Sequence, residues 1–166
     1  MRKGTGVPYL SHLLQVATWV YEEGGDEEQF IAALLHDYVE DIEGASVAEL
    51  RERFGERVAR IVDGLTDAYV RPKPPWQQRK EAYIARLRGE PAEVKLVAVC
   101  DKLHNASSML RDLDRVGEDL WGRFSASKQQ TLWYYRAVTE ALGEGWSHPL
   151  LDRLQTVVRE LCARGA

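Results

Sequence analysis

The 166-residue sequence is poor in several things, and each shortage removes a class of explanation. It has two cysteines, Cys100 and Cys162, far apart and without metal-type spacing, so neither a disulfide framework nor a cysteine zinc site is in view. A reduced, cytoplasmic setting is the economical expectation. No apolar run approaches the ~18 residues of a membrane span, and the N-terminus lacks a signal-peptide pattern. There is no basic surplus: the formal net charge is −4, which gives no support to sequence-independent nucleic-acid binding. Repeats, low-complexity tracts and heptads are missing as well. No alternating strand or hairpin pattern stands out. What remains is a soluble-type composition, long enough for one buried core and too short to argue for two domains.

Against that background, residues 32–41 (AALLHDYVED) stand out. Small and apolar residues run directly into His36, Asp37, Glu40 and Asp41. If the helix continues from 27 to 41, His36 lies over Glu40 and Asp37 over Asp41, each pair separated by about 6 Å along the axis. An apolar helix that ends in this much charge needs compensation, because unpaired buried charge is costly. A divalent metal would supply it.

The other segments are read for further ligands. Residues 1–8 (MRKGTGVP) are basic and glycine-rich, which suits either an anion-binding loop or a frayed terminus. Residues 9–23 carry Leu10, Leu13, Leu14, Ala17 and Val20 at helical spacing, a helix with its core face. Taken alone, His12 on that helix reads as a hydrogen-bonded core histidine. Ser46 and Glu49 look like a capping box opening a short helix that ends near Gly55. Residues 56–66 are amphipathic, with Val58, Ile61, Val62 and Leu65 on one face. Three prolines make residues 67–76 (DAYVRPKPPW) a loop. With Arg71, Lys73, Arg79 and Lys80 in or beside it, this is either a solvated connector or a basic flap near an anionic substrate.

Residues 77–89 form another helix. In residues 92–113 an apolar run again leads into charge at Asp101, Lys102, His104 and Asn105, with Asp101 and Asn105 sharing a face while Lys102 and His104 point elsewhere. Helices are also expected over 125–143, capped at Ser125 or Ser127, and over 147–163. Trp133, Tyr134 and Tyr135 point in three directions, so at least one ring leaves the core or enters a cleft. The fold class is all-α.

Three helices thus offer His12, His36–Asp37 and Asp101. Two imidazoles and two carboxylates suit Mn²⁺, Fe²⁺ or Zn²⁺ rather than Ca²⁺. The pattern H(12)…HD(36–37)…D(101) resembles that of the HD-domain phosphohydrolases, an all-helical superfamily. RKGTGVPYLSH, ALLHDYVED and DKLHN resemble three motifs of RelA/SpoT-type (p)ppGpp hydrolase domains, with the small single-domain members such as the metazoan SpoT homologue nearest in size. The resemblance runs from Arg2 to about residue 143, within one expected domain over 1–166. It leaves the C-terminal helix outside.

The resemblance implies that His12, His36, Asp37 and Asp101 hold one Mn²⁺ ion. It also implies that Glu40 and Asp41 form the acidic pair for water activation and leaving-group protonation. Arg2, Lys3, Asn105 and Tyr135 match nucleotide-contacting positions, and Lys102 is a further cation for the phosphates. The implied activity is 3′-pyrophosphohydrolysis of (p)ppGpp. The alternatives are a phosphomonoesterase for another nucleotide or an NADPH-like cofactor, and a nucleotide sensor without turnover. Members of that family carry a further helix before the RK motif, which begins here at residue 2. Either the pocket edge is built differently, the start lies upstream, or a second subunit of a homo-oligomer supplies the helix. No nucleic-acid or membrane partner is expected.

Overall fold

A computed structural model describes residues 7–70 and 72–165. Its helices are α1 (Leu10–Glu22), α2 (Glu27–Leu35), α3 (Tyr38–Asp41), α4 (Val47–Phe54), α5 (Glu56–Leu65), α6 (Trp76–Gly89), α7 (Ala92–Val116), α8 (Lys128–Gly143) and α9 (Pro149–Arg164), with a 3₁₀ helix over Gly117–Arg123. Among the described residues there is no strand. The all-α expectation holds, including the apolar run from Val94 to Val99, which is helical. No helix among them is long and apolar enough to cross a membrane.

Several boundaries follow from local chemistry. Asp26 caps α2 reciprocally with Gln29, and Ser127, rather than Ser125, caps α8 in the same way with Gln130. Ser46 accepts from the Glu49 backbone, but the Glu49 side chain turns instead to Tyr38 and Arg53, so only half of the expected box forms. Gly55 sits at φ 91°, a left-handed geometry that glycine tolerates, and lets α4 and α5 meet at a sharp corner.

The long helix α7 is the spine, packing against α1, α2, α5, α8 and α9. Val94, Val97, Ala98, Val99, Cys100, Leu103 and Ala106 are all buried along it. Lys95, only 2 % exposed, is the exception that explains itself. Its ammonium donates to the carbonyls of Arg88 at 3.0 Å and Glu144 at 2.6 Å, satisfying helix ends at α6 and α8 together. Both cysteines are free and buried. Arg57 on α5 binds Asp26, Glu28 and Glu93, a network that ties α5 to α2 and α7.

One expected core face is corrected. Leu10 and Leu14 of α1 are 59 % and 49 % exposed, and the buried face is His12, Val16, Ala17 and Val20. The apolar residues of α1 cover more than one face, so periodicity alone does not phase the helix. Packing against α2 and α7 does, and it turns His12 inward.

Candidate metal centre and its cleft

The second correction concerns the stretch around His36. The helix does not continue from 27 to 41: α2 stops at Leu35, His36 and Asp37 form a turn, and α3 restarts at Tyr38. The His36 ring reaches back to the Ala33 carbonyl, with Nδ1 at 2.7 Å, competing for the acceptor that a continuing helix offers to the backbone of Asp37. The break re-phases the following residues. Glu40 turns inward and Asp41 is exposed, so the two columns expected from a straight helix do not form.

The break also aims His36 and Asp37 at α1 and α7. His36 Nε2 lies 3.2 Å from Asp37 Oδ2 and 3.6 Å from Asp101 Oδ1, and His12 Nε2 lies 3.2 Å from the same Asp101 oxygen. Ligand atoms of His12, His36 and Asp37 fall within 4.8 Å of one another. All four residues singled out in the sequence therefore converge from three elements.

The chemistry of this cluster fits a divalent cation. With Nδ1 as donor to the Ala33 carbonyl, His36 presents an Nε2 lone pair that is buried and has no hydrogen-bond partner among the described residues. A buried acceptor left in this state is costly unless something binds it. Burial, then the Asp101 charge and then Glu40, raise the Asp37 carboxyl well above the usual range, the sign of a site short of positive charge. Burial works against ionised Asp101 as well, yet Lys102, His12 and His36 hold its carboxyl well below its ordinary value.

Around the four residues lies a supporting ring, part of which the sequence reading missed or misplaced. His104, expected to point elsewhere, puts Nδ1 2.7 Å from His12 Nδ1. That contact fixes the His12 ring and leaves its other nitrogen facing Asp101. Tyr9 donates to the Asp37 carboxylate. Asn105 does share the face of Asp101, and its Nδ2 donates to Asp101 Oδ1 at 2.6 Å. Lys102 also turns toward the site, 2.6 Å from Asp101 Oδ2. The α7 stretch thus supplies a candidate metal ligand, an orienting amide and a cation within one turn.

A cleft of about 70 Å³ opens beside the cluster, lined by His36, Asp37, Glu40, Leu65, Asp67, Lys80, Tyr83, Asp101, Lys102 and Tyr134. Glu40 Oε1 accepts from the Asp67 backbone at 2.8 Å, and Lys73 lies 3.4 Å from Glu40 Oε2. Burial and then the Asp67 charge raise the Glu40 carboxyl above its usual value. Asp67 stays ionised despite burial because Lys80 and Arg79 bind it. The proline-rich loop is therefore no solvated connector at its ends. Its first residue and Lys73 hold Glu40 instead. Asp41 does not line this cleft. Nor does Tyr135, which lines a neighbouring slot of about 170 Å³ with Trp76, Met109 and Phe124. Tyr134, one position earlier, lines both. Arg2, Lys3 and Arg71 lie outside the described residues.

An all-helical chain whose His and Asp side chains converge on one cation site, with a carboxylate at the mouth, has the build of a metal-dependent hydrolase. A family model described as HD domain matches residues 1–132, and the chain belongs to that family. It is similar to guanosine-3′,5′-bis(diphosphate) 3′-pyrophosphohydrolase of Danio rerio, at 34 % identity over 93 % of this chain and 81 % of that protein. It is 37 % identical, over 65 % of its length, to a protein of the same activity name from Aquifex aeolicus, of which the match spans only 15 %. Against the solved structure of a metazoan ortholog of SpoT that hydrolyses ppGpp, the TM-score is 0.77 at 26 % identity, covering 96 % of this chain and 84 % of that one.

Proposed function

We propose that this chain is a metal-dependent phosphohydrolase that removes the 3′ pyrophosphate of guanosine-3′,5′-bis(diphosphate), with Mn²⁺ as its ion. The observation that carries the reading is the buried His36 Nε2, which has no hydrogen-bond partner among the described residues and faces two carboxylates and a second imidazole, in a chain that matches most of the zebrafish pyrophosphohydrolase. His12, His36, Asp37 and Asp101 would hold the ion, which would acidify a water and offset charge building on a phosphoryl oxygen.

The remaining chemistry belongs to the chain's own side chains. The water oxygen bonds to the 3′ phosphorus, the bond from phosphorus to the ribose 3′ oxygen breaks, and that oxygen takes a proton. Glu40, at the cleft wall and held by Asp67, is placed to accept the proton from water and return it to the leaving oxygen. Its raised affinity for protons suits the second half of that exchange. Asp41 is exposed and does not line the cleft, so the exchange is assigned to Glu40 alone. Lys102 and Lys80 supply positive charge to the phosphates. Asn105 keeps Asp101 oriented.

The test separates phosphate from pyrophosphate among the products of a panel of nucleotides and NADPH. Pyrophosphate from substrates carrying a 3′ diphosphate supports the reading. Orthophosphate from ordinary monoesters in its place would replace it with a phosphomonoesterase.

A further inference from the structure

The metal ligands and Glu40 leave part of the cleft unused. Tyr83 and Tyr134, 3 % and 6 % exposed, both line it, and both hydroxyls are buried without a hydrogen-bond partner among the described residues. A phenol in an apolar core is normally bonded, and a phenylalanine would fill the same space without the desolvation cost. Two such tyrosines lining one cleft point to an acceptor that comes from outside the protein.

The charges there favour an anion. Lys102 Nζ lies 5.3 Å from the Tyr83 ring centre and 5.9 Å from that of Tyr134, and Lys80 Nζ lies 4.8 Å from Tyr134. Burial and the neighbouring Lys102 charge both pull the Lys80 ammonium below its ordinary proton affinity, a repulsion that an anion between them relieves. The counter-ions of these lysines, Asp67 and Asp101, are each engaged on a second side, by Arg79 and by the histidine cluster.

We propose that Lys80, Lys102 and the hydroxyls of Tyr83 and Tyr134 form a subsite for the distal phosphoryl group of a diphosphate, so that this cleft selects a pyrophosphoryl group over a single phosphate. The proposal rests on the hydrolase reading for its substrate, but the subsite itself is a statement about anion binding. Phenol donors and ammonium groups converging on phosphoryl oxygens are charge-assisted contacts, the stronger kind of hydrogen bond.

The experiment titrates inorganic pyrophosphate, and separately inorganic phosphate, into the Mn²⁺-loaded full chain by calorimetry. The variants are Tyr83→Phe, Tyr134→Phe and the double substitution. The expected result is that wild type binds pyrophosphate more tightly than phosphate. Each phenylalanine should weaken pyrophosphate binding about tenfold, leave Mn²⁺ affinity unchanged, and leave the melting temperature unchanged or raised. Lys80→Gln checks the same site by loss of the ammonium alone. Equal affinity for the two anions in wild type, pyrophosphate binding untouched in both phenylalanine variants, or a lowered melting temperature in the variants would overturn the subsite. Product analysis with guanosine-3′,5′-bis(diphosphate) keeps the two readings apart. Hydrolysis with tyrosine-indifferent pyrophosphate binding removes the subsite alone, whereas tyrosine-dependent binding without hydrolysis removes the hydrolase reading alone.

Discussion

His36 is bonded through one ring nitrogen and has no hydrogen-bond partner at the other among the described residues, an asymmetry that the proposed ligand role explains and a core histidine would not need. His36→Gln should therefore lower metal affinity by roughly a hundredfold or more while the chain stays folded, because losing a direct ligand exceeds the ~10–100-fold typical of an outer-shell change. Calorimetric metal titration, with circular dichroism as the folding control, checks it. Glu40→Gln should behave differently: metal content preserved and turnover down ~10²–10⁴-fold, the usual share of a general base or acid, measured as kcat on metal-saturated protein. At this scale the sequence was readable where residue type dictates chemistry. His12, His36, Asp37 and Asp101 come together as their ligand character suggested. Tyr134 was not distinguishable from Tyr135, since adjacent aromatic positions on a helix differ only in which neighbour they meet. Tyr9 and His104 act through contacts 28 and 92 residues away in sequence, and no local pattern carries such information.

Among elements, the ends of the proline-rich loop matter most. Asp67 is nearly buried and paired with Arg79 and Lys80, and its carboxyl is held below the ordinary value of 3.8 because the two cations outweigh burial. A carboxylate with a depressed folded value stabilises the protein above its unfolded value, and that contribution disappears as pH falls through the folded one. Asp67→Asn should therefore cost on the order of 3 kcal/mol near neutrality. The gap between wild type and variant should close as pH drops below 3.8, read from urea unfolding at a series of pH values. Lys95→Met should cost about 2 kcal/mol by stranding two helix-end carbonyls, with no change in metal affinity. Most helix positions were legible from apolar spacing and capping residues. The interruption at His36–Asp37 was not. It arises from a side chain competing with the backbone for one carbonyl, and a ten-residue apolar-then-charged stretch looks the same whether or not that competition is won.

For the whole molecule, α7 joins fold and chemistry. The helix packs against five others, and the turn that follows its buried apolar run delivers Asp101, Lys102, His104 and Asn105 to one site. This coupling explains why the all-α architecture and the location of the chemistry could be read together, since the same apolar run that buries the helix carries its polar residues inward. What each cleft residue binds depends on charges assembled from α3, the loop before α6, α6 and α7, and emerges only from the packed arrangement. The central claim is that this arrangement cleaves a 3′ pyrophosphate with its ion in place. Its most direct test is incubation of Mn²⁺-loaded protein with guanosine-3′,5′-bis(diphosphate), resolving pyrophosphate, orthophosphate and nucleotide by chromatography. The account predicts equal amounts of pyrophosphate and guanosine diphosphate. Intact substrate with full metal occupancy, or orthophosphate as the released product, would contradict it.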